Sequence, residues 1–311
     1  MKQRWFLLPV LLILIFLLCF PQIAFVYSRK GLLLWFQTLL PSLLPFMIIS
    51  NILIKTNKLE KWISIPKKIW KIVFGLTPNG AYALFLGLFC GYPMGAKVTA
   101  DLYKDHRISK AEANYLLTFS NHPSPVFISS FILTEALHRE DMISISYMIL
   151  YSSSYLCSFI FRMYYRKEIT TYLKEDRTSS KKETSSHLLP GEILDASIMN
   201  GFEGITKLGG YIILFSVCSG MIQACSVIPF QVKYFLLGIT ELTTGISAIS
   251  TAPFSFTIRY AFIMAITAFG GLCTIAQTKS MLSETSLSIK PYIAAKMCNF
   301  TITLLLVLLI V

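Results

Sequence analysis

Charged residues are scarce in this chain of 311 residues: Asp, Glu, Lys and Arg together make up 14%, against 54% hydrophobic residues. The mean hydropathy is +0.62. Soluble globular domains usually carry about 25% charged residues, so this composition excludes an ordinary soluble protein. The chain is long enough for several bilayer crossings, and the absence of polar domains predicts an all-α polytopic membrane protein.

The sequence also lacks the usual marks of catalysis. His106, His138 and His187 fall in predicted loops without metal-ligand spacing, and the seven cysteines lie mostly inside apolar runs without paired spacing. There is no Walker motif and no nucleophile with a base at an informative spacing. We therefore expect no catalytic residue, no metal, no cofactor and no enzymatic activity. An intramembrane hydrolase is the remaining enzymatic alternative.

The basic residues stand mainly in short loops between apolar runs, although the formal net charge reaches +12. This is the pattern of cytoplasmic loops, so membrane lipid and not nucleic acid is the expected partner. Residues 55–71 are predicted to lie along the cytoplasmic leaflet, and residues 166–190 to form a mobile cytoplasmic linker. The apolar run after Lys2 and Arg4 is predicted to be an uncleaved first span with a cytoplasmic N-terminus; a signal peptide is the alternative.

Two parts of the chain repeat the same order of features: a span, a short glycine-containing segment and an interrupted span. Gly87 and Phe119 of the first part recur as Gly238 and Phe269 of the second at nearly equal spacing. Segments of about ten residues on each side of a turn reach only about half-way across a bilayer, which predicts two re-entrant helical hairpins. About seven full spans then remain, and the repeats are inverted. The predicted units are an N-terminal span (1–30), a first repeat with a connecting span (31–165), the linker (166–190), a second repeat (191–289) and a C-terminal span (290–311).

The stretch SNHPSP, residues 120–125, interrupts an otherwise apolar helix. Pro123 and Pro125 have no backbone N–H and prevent a regular helix, which frees carbonyl and amide groups deep in the membrane. In secondary transporters such groups bind a substrate or a coupling ion. The alternative is a proline kink whose backbone is satisfied by neighbouring Ser and Thr side chains. The candidate substrate-binding residues here are Ser120, Asn121, His122 and Ser124.

Two ionisable residues fall near the predicted hairpin turns. Lys97 would stand at the start of a half-helix whose amides attract an anion; the alternative is snorkelling to the interface. Glu241 would carry a coupling proton or pair with a cation accompanying the substrate, or form a structural pair with Lys97. Gln277, after Gly270 and Gly271, would contact the substrate or pack between helices. The predicted turns comprise Gly91, Tyr92, Pro93, Gly95 and Gly245, and Thr243 and Thr244 complete the predicted substrate-binding set.

A family resemblance rests on six stretches in a fixed order: GLLLWFQTLLPSLLPFMIISNILI, LGLFCGYPMGAK, LLTFSNHPSPVFI, LGGYIILFSV, ITELTTGI and FGGLCTIAQ. From about Gly31 to Gln277 the chain resembles the sporulation integral membrane protein YlbJ family, within the nucleoside-recognition (Gate) domain superfamily. The resemblance implies a protein of a sporulation membrane in an endospore-forming bacterium, required for spore development and implicated in moving dipicolinate towards the forespore. It also implies Gate-like repeats with paired re-entrant hairpins, as in concentrative nucleoside transporters.

Three functions follow as hypotheses. The first is a permease for a small organic anion, with dipicolinate, a planar dianion, as the solute that Lys97 and the half-helix amides would suit. The second is a proton-coupled nucleoside transporter that works through Glu241. The third is a non-transporting membrane scaffold in spore envelope assembly, in contact with other sporulation membrane proteins.

Overall fold

The structure, a computed structural model, describes residues 2–56, 70–175 and 189–311. Within these ranges every regular element is helical and no strand occurs, which confirms the predicted all-α class. Three segments are π-helical: Leu34–Leu39, Trp70–Phe74 and Phe127–Ala136. The α-helices are α1 (Lys2–Cys19), α2 (Pro21–Leu33), α3 (Leu40–Lys55), α4 (Pro78–Cys90), α5 (Met94–Lys104), α6 (Lys110–Leu117), α7 (Ile143–Glu175), α8 (Pro190–Ala224), α9 (Phe230–Thr240), α10 (Leu242–Ser250), α11 (Phe256–Phe269), α12 (Gly271–Met281) and α13 (Lys290–Ile310).

Four stretches of the described residues are long and apolar enough to cross a bilayer: Glu140–Arg166, Pro190–Ala224, Phe256–Met281 and Lys290–Ile310. The pair Leu7–Cys19 and Pro21–Leu39, bent by 112° at its break, adds a fifth if it counts as one span. These helices support a membrane protein with several spans. The number seven stays a prediction, because the position of the bilayer decides which shorter helices cross it.

The helices fall into two halves with the same order of elements. Each half has a long first helix (α2–α3 or α8), a short hairpin (α4–α5 or α9–α10), a broken helix and a long last helix (α7 or α13). The first helices run antiparallel, since Tyr27 lies against Gly220 whereas Ile48 lies against Gly201. The indole nitrogen of Trp35 donates to the carbonyl oxygen of Ile205 at 2.8 Å between these two contacts. Antiparallel packing of equivalent helices is the arrangement that inverted repeats require.

Both hairpins stand where the sequence predicts them, and each is closed by a pair of glycines. In the first hairpin a Cβ on Gly87 would meet the Cα of Gly95, and in the second a Cβ on Gly245 would meet the Cα of Gly238, so the arms touch at these glycines. Gly95 and Gly245 therefore belong to the crossing of the arms and not to the predicted turns. Gly91, with φ of 79°, begins the first turn, which continues through Tyr92 and Pro93. Re-entry into the membrane stays a prediction for both hairpins.

Two helices are broken, by different means. The first stops at Leu117 and resumes as π-helical turns at Phe127, with irregular backbone around the two prolines predicted to interrupt it. The second is broken at two adjacent glycines: Gly270 ends α11 at φ 87°, and Gly271 begins α12 at φ 80°. Glycine tolerates positive φ at little steric cost, so two adjacent glycines break the second helix without a proline.

Contacts between loops show which ends of the halves lie together. The loop after α12 joins the end of α5, because Lys104 pairs with Glu284 and the hydroxyls of Tyr103 and Ser286 lie 2.8 Å apart. At the other end of the helices, the guanidinium of Arg139 stands 4.6 Å from the ring centroid of Phe256. The two hairpins therefore start from opposite ends of the bundle, as the predicted inversion requires.

Two predicted surface segments lie partly outside the described residues. Of the stretch 55–71, residues 57–69 fall outside, and of the predicted linker 166–190, residues 176–188 fall outside. The linker prediction also needs a correction at its start, because α7 continues as a helix to Glu175. Residues 166–175 carry no proline or glycine that would end the helix earlier.

Candidate functional site

The two broken helices meet at a buried lysine on the last helix. Lys296 of α13 is only 2% exposed. Its ammonium nitrogen donates to the carbonyl oxygen of Asn121 at 2.6 Å and to that of Ala268 at 3.3 Å. Asn121 stands in the first break and Ala268 two residues before the second. One side chain thus holds backbone of both breaks.

The tip of the first hairpin reaches the same place. The hydroxyl of Tyr92 donates to the carbonyl oxygen of Thr267 at 2.6 Å, just before the second break. The ring centroids of Tyr92 and Tyr292 lie 5.1 and 5.5 Å from the ammonium nitrogen of Lys296, within the range of cation–π attraction. The first hairpin, the second broken helix and α13 therefore share one centre.

The charge of Lys296 has no acidic partner among the described residues. Its polar contacts there are the two carbonyl oxygens, which use two of the three N–H donors of an ammonium group. The end of α11 contributes the negative pole of its helix dipole, which favours a cation. A lysine at the bilayer centre nevertheless costs about 3 kcal/mol even by the mildest insertion scales. Such a residue is retained where it has a function, and it suits an anionic ligand.

Asn121 and His122 connect this centre to three helices. The amide nitrogen of Asn121 donates to the hydroxyl of Thr278 at 3.0 Å and to that of Tyr292 at 3.2 Å. The imidazole Nδ1 of His122 lies 2.8 Å from the hydroxyl of Ser154 on α7. The same hydroxyl accepts a hydrogen bond from the amide of Asn299 at 3.1 Å. The irregular backbone of the first break is thus fixed by side chains from α7, α12 and α13.

Several buried polar atoms around the two breaks have no hydrogen-bond partner in the described part of the chain. A buried polar atom without a partner costs about 1–3 kcal/mol, so a cluster of them indicates water or a polar ligand. Within the same ranges, no group of three or more His, Cys, Asp or Glu side chains could hold a metal ion. The unpartnered atoms are Ser120 Oγ, Asn121 Oδ1, Tyr151 OH, Thr267 Oγ1 and Asn299 Oδ1.

The other two candidates of the first break have structural contacts. The carbonyl oxygen of Ser120 lies against Gly87 and Gly95, so closely that a methyl group on either glycine would overlap it. The hydroxyl of Ser124 accepts a hydrogen bond from the backbone N–H of Phe127 at 3.2 Å and so caps the π-helical turns. The backbone of the first break therefore packs directly against the point where the two arms of the first hairpin cross.

Lys97 lies apart from this centre. Its ammonium nitrogen is 2.8 Å from both carboxylate oxygens of Asp101, one turn along α5. The pair faces a cavity of about 80 Å³, which is also lined by Lys104, Lys207 and Glu284. There the hydrogen bond from Lys104 lowers the pKa of Glu284, and the same bond raises the pKa of Lys104. Lys97 is thus neutralised by Asp101, in place of the predicted alternative partner Glu241.

Glu241 caps the second arm of the second hairpin. One carboxylate oxygen accepts from the backbone N–H of Thr243 at 3.1 Å. The other accepts from the hydroxyl of Thr243 at 2.6 Å and from the backbone N–H of Thr244 at 2.7 Å. Thr243 and Thr244 also line a groove of about 440 Å³ together with Lys30 on α2. Gln277 is buried on α12 and donates to the sulfur of Cys273 at 3.1 Å.

Lys296 is absent from the predicted substrate-binding set, although the sequence contains a pattern that indicates it. Tyr292, Lys296, Asn299 and Thr303 recur every three or four residues along the apolar last helix, which places them on one face. All four are buried. The hydroxyl of Thr303 donates to that of Ser153 at 2.8 Å, so this polar face packs on α7. A cation within such a face is itself an indication of function.

This geometry defines an all-helical membrane protein whose two antiparallel halves meet at a buried lysine. The chain is 27% identical over 306 residues to the sporulation integral membrane protein YlbJ of Bacillus subtilis (strain 168), and the alignment covers 89% of this chain and 75% of that protein. The similarity supports the predicted resemblance to the YlbJ family. No family model and no solved structure matches the chain. The relation to the nucleoside-recognition superfamily stays a prediction.

Proposed function

We propose that the chain is a membrane permease for a small organic anion in spore formation, and that dipicolinate is its substrate. One observation carries the proposal: a buried ammonium group without an acidic partner among the described residues stands where two broken helices meet. Unpartnered hydroxyl and amide atoms surround it. A cation together with such atoms is the chemistry that recognises a desolvated carboxylate.

Dipicolinate fits this chemistry by charge and shape. It is a planar pyridine with two carboxylate groups, so one carboxylate would accept from the ammonium of Lys296. The hydroxyls of Ser120 and Thr267 are further donors near the breaks, and the rings of Tyr92 and Tyr292 offer flat apolar surface. Transport requires that a polar solute finds such partners at membrane depth, which regular helices do not provide.

The link to sporulation comes from the relative, which is named a sporulation integral membrane protein. We extend that role to this chain because the similarity runs over most of both proteins. A permease in this setting would work beside other membrane proteins of the forming spore. The proposal assigns no enzymatic activity to the chain.

The test measures dipicolinate uptake into proteoliposomes that contain the full chain. We expect uptake by the unaltered protein, and a loss of at least tenfold in Lys296→Met, which keeps the length of the side chain but removes its charge. Lys97→Met is the matched control, because Lys97 is already paired with Asp101; it should keep most of the activity. Thermal unfolding of each variant shows that loss of uptake is not loss of folding.

The other two hypotheses are outcomes of the same experiment. Uptake of labelled uridine without uptake of dipicolinate would replace the anion permease with a nucleoside transporter. No uptake of either solute, together with normal dipicolinate content in spores that carry Lys296→Met, would indicate a scaffold. The capping role of Glu241 gives the proton-coupled nucleoside hypothesis no structural support, since both carboxylate oxygens are bound within α10.

A further inference from the structure

The contacts of Lys296 are those of a bound cation. Backbone carbonyl oxygens at helix breaks are the ligands that membrane transporters use for sodium, because they offer partial negative charge without a carboxylate. The ammonium nitrogen of Lys296 has two such oxygens, from Asn121 and Ala268. An ammonium ion and an alkali-metal ion carry the same charge and both are attracted to carbonyl oxygens.

The two oxygens belong to different halves of the molecule. Asn121 lies in the break of the first half, and Ala268 lies at the end of α11 in the second half. A third carbonyl, that of Thr267, is next in the chain and accepts from the hydroxyl of Tyr92. The positive charge therefore joins the halves, and the hairpin tip completes the junction.

We propose that the ammonium group of Lys296 occupies a carbonyl-lined cation site between the two broken helices and serves as a tethered substitute for a free alkali-metal ion. The side chain of Lys296 then occupies the site whatever salt surrounds the protein. The cation site itself follows from geometry and does not depend on the substrate. Where the proposed transport function also holds, solute movement needs neither sodium nor potassium.

The lysine stem allows a sharp test. Lys296→Ala removes the charge and also leaves space beside the carbonyl oxygens for a small cation. Lys296→Met removes the charge but keeps the space filled, so it is the matched control. Lys97→Ala removes a lysine that is paired with Asp101, away from the two breaks, and so controls for general effects of charge.

The measurement is thermal unfolding of the purified full chain in detergent, titrated with sodium, potassium or methylammonium chloride. Choline chloride keeps the ionic strength constant and is too large for the site. A cation that binds the folded state alone raises the melting temperature as its concentration passes the dissociation constant. We expect such a rise, specific to the small cations, in Lys296→Ala alone. For the unaltered chain, for Lys296→Met and for Lys97→Ala, the melting temperature of each protein should not depend on which salt is added.

Either of two results would overturn the inference. One is a sodium-specific or potassium-specific rise in the unaltered chain, which would show that the site still needs a free ion. The other is a folded Lys296→Ala variant that responds to no small cation. If Lys296→Ala does not fold, the salt response of the unaltered chain decides alone, and its absence supports the tethered cation. Because no transport is measured, a failure of the dipicolinate proposal would leave this result intact.

Discussion

The hydroxyl of Tyr92 donates a hydrogen bond of 2.6 Å to the carbonyl oxygen of Thr267, which comes 175 residues later in the chain. The donor stands in the turn of the first hairpin and the acceptor just before the break of the second broken helix. Because Lys296 holds the next carbonyl and also the first break, the hairpin tip and both breaks form one connected unit. Movement of the hairpin must therefore disturb the breaks.

Tyr92→Phe should lower both stability and uptake. The change leaves the ring in place but removes the donor to Thr267, and a carbonyl without its partner costs about 1–3 kcal/mol when buried. Tyr103→Phe is the matched control, since that hydroxyl contacts Ser286 in a solvent-facing loop. Thermal unfolding should separate the two variants, with the larger fall for Tyr92→Phe. Equal decreases in melting temperature would show that the hydrogen bond from Tyr92 to Thr267 stabilises the fold no more than the exposed contact of Tyr103 does.

Gly87→Ala and Gly95→Ala should each destabilise the fold strongly. A methyl group at either position overlaps the carbonyl oxygen of Ser120, which is backbone and cannot rotate away. Overpacking of this kind costs about 1–3 kcal/mol or more. Gly210→Ala, in the interior of α8, is the control. A Cβ added there would meet no atom of another element within 4 Å, so the change should be neutral or stabilising. Similar melting temperatures for all three variants would contradict the close packing of the Ser120 carbonyl group against the two glycines of the hairpin.

Much of the architecture is predictable because proline and glycine act locally. Pro123 and Pro125 remove backbone donors wherever the chain goes, so the first break can be located without knowledge of its neighbours. The second hairpin and the break at Gly270 follow from the repeated order of features. Single-residue features such as these fix the local backbone, and the structure has helices and breaks where they predict them.

The contents of the site are less predictable, because they depend on contacts between distant parts of the chain. Lys97 and Glu241 stand close to the predicted turns, but a carboxylate one turn away neutralises the first and the backbone of α10 binds the second. The polar face of α13 marks Lys296 in the sequence, but it does not show which backbone groups the ammonium group contacts. The packing of α13 against both breaks supplies those contacts, with the carbonyl oxygens of Asn121 and Ala268.

Glu241 should prove to be a helix cap and not a proton carrier. Glu241→Ala removes all three hydrogen bonds to α10 and should cost about 0.5–2 kcal/mol, whereas Glu241→Gln keeps an acceptor and should cost less. Glu203→Ala, which removes an exposed ion pair with Lys207, is the control and should cost less than about 1 kcal/mol. The pH profile of uptake should be unchanged in Glu241→Gln. A shifted profile would instead assign the coupling proton to this residue.

The inverted arrangement of the hairpins predicts a labelling pattern. In a background without the native cysteines, Asp105→Cys and Ser283→Cys should react with a membrane-impermeant maleimide from one side, since their loops lie together beside the pair Lys104 and Glu284. Glu140→Cys and Thr251→Cys, at the other end of the bundle, should react only from the opposite side. All four positions are exposed in the structure. Comparison of intact cells with inverted membrane vesicles distinguishes the sides.

A cysteine at the turn of the first hairpin completes this experiment. Tyr92→Cys should react more slowly than any of the four loop positions, because the turn packs against the second break and Lys296. If Asp105→Cys and Glu140→Cys were labelled from the same side, the broken helix between them would not cross the membrane. If Tyr92→Cys were labelled rapidly from the side opposite to Asp105→Cys, α4 and α5 would each be full spans. The polar centre around Lys296 would then lie at the membrane surface, where a buried cation needs no solute to compensate it.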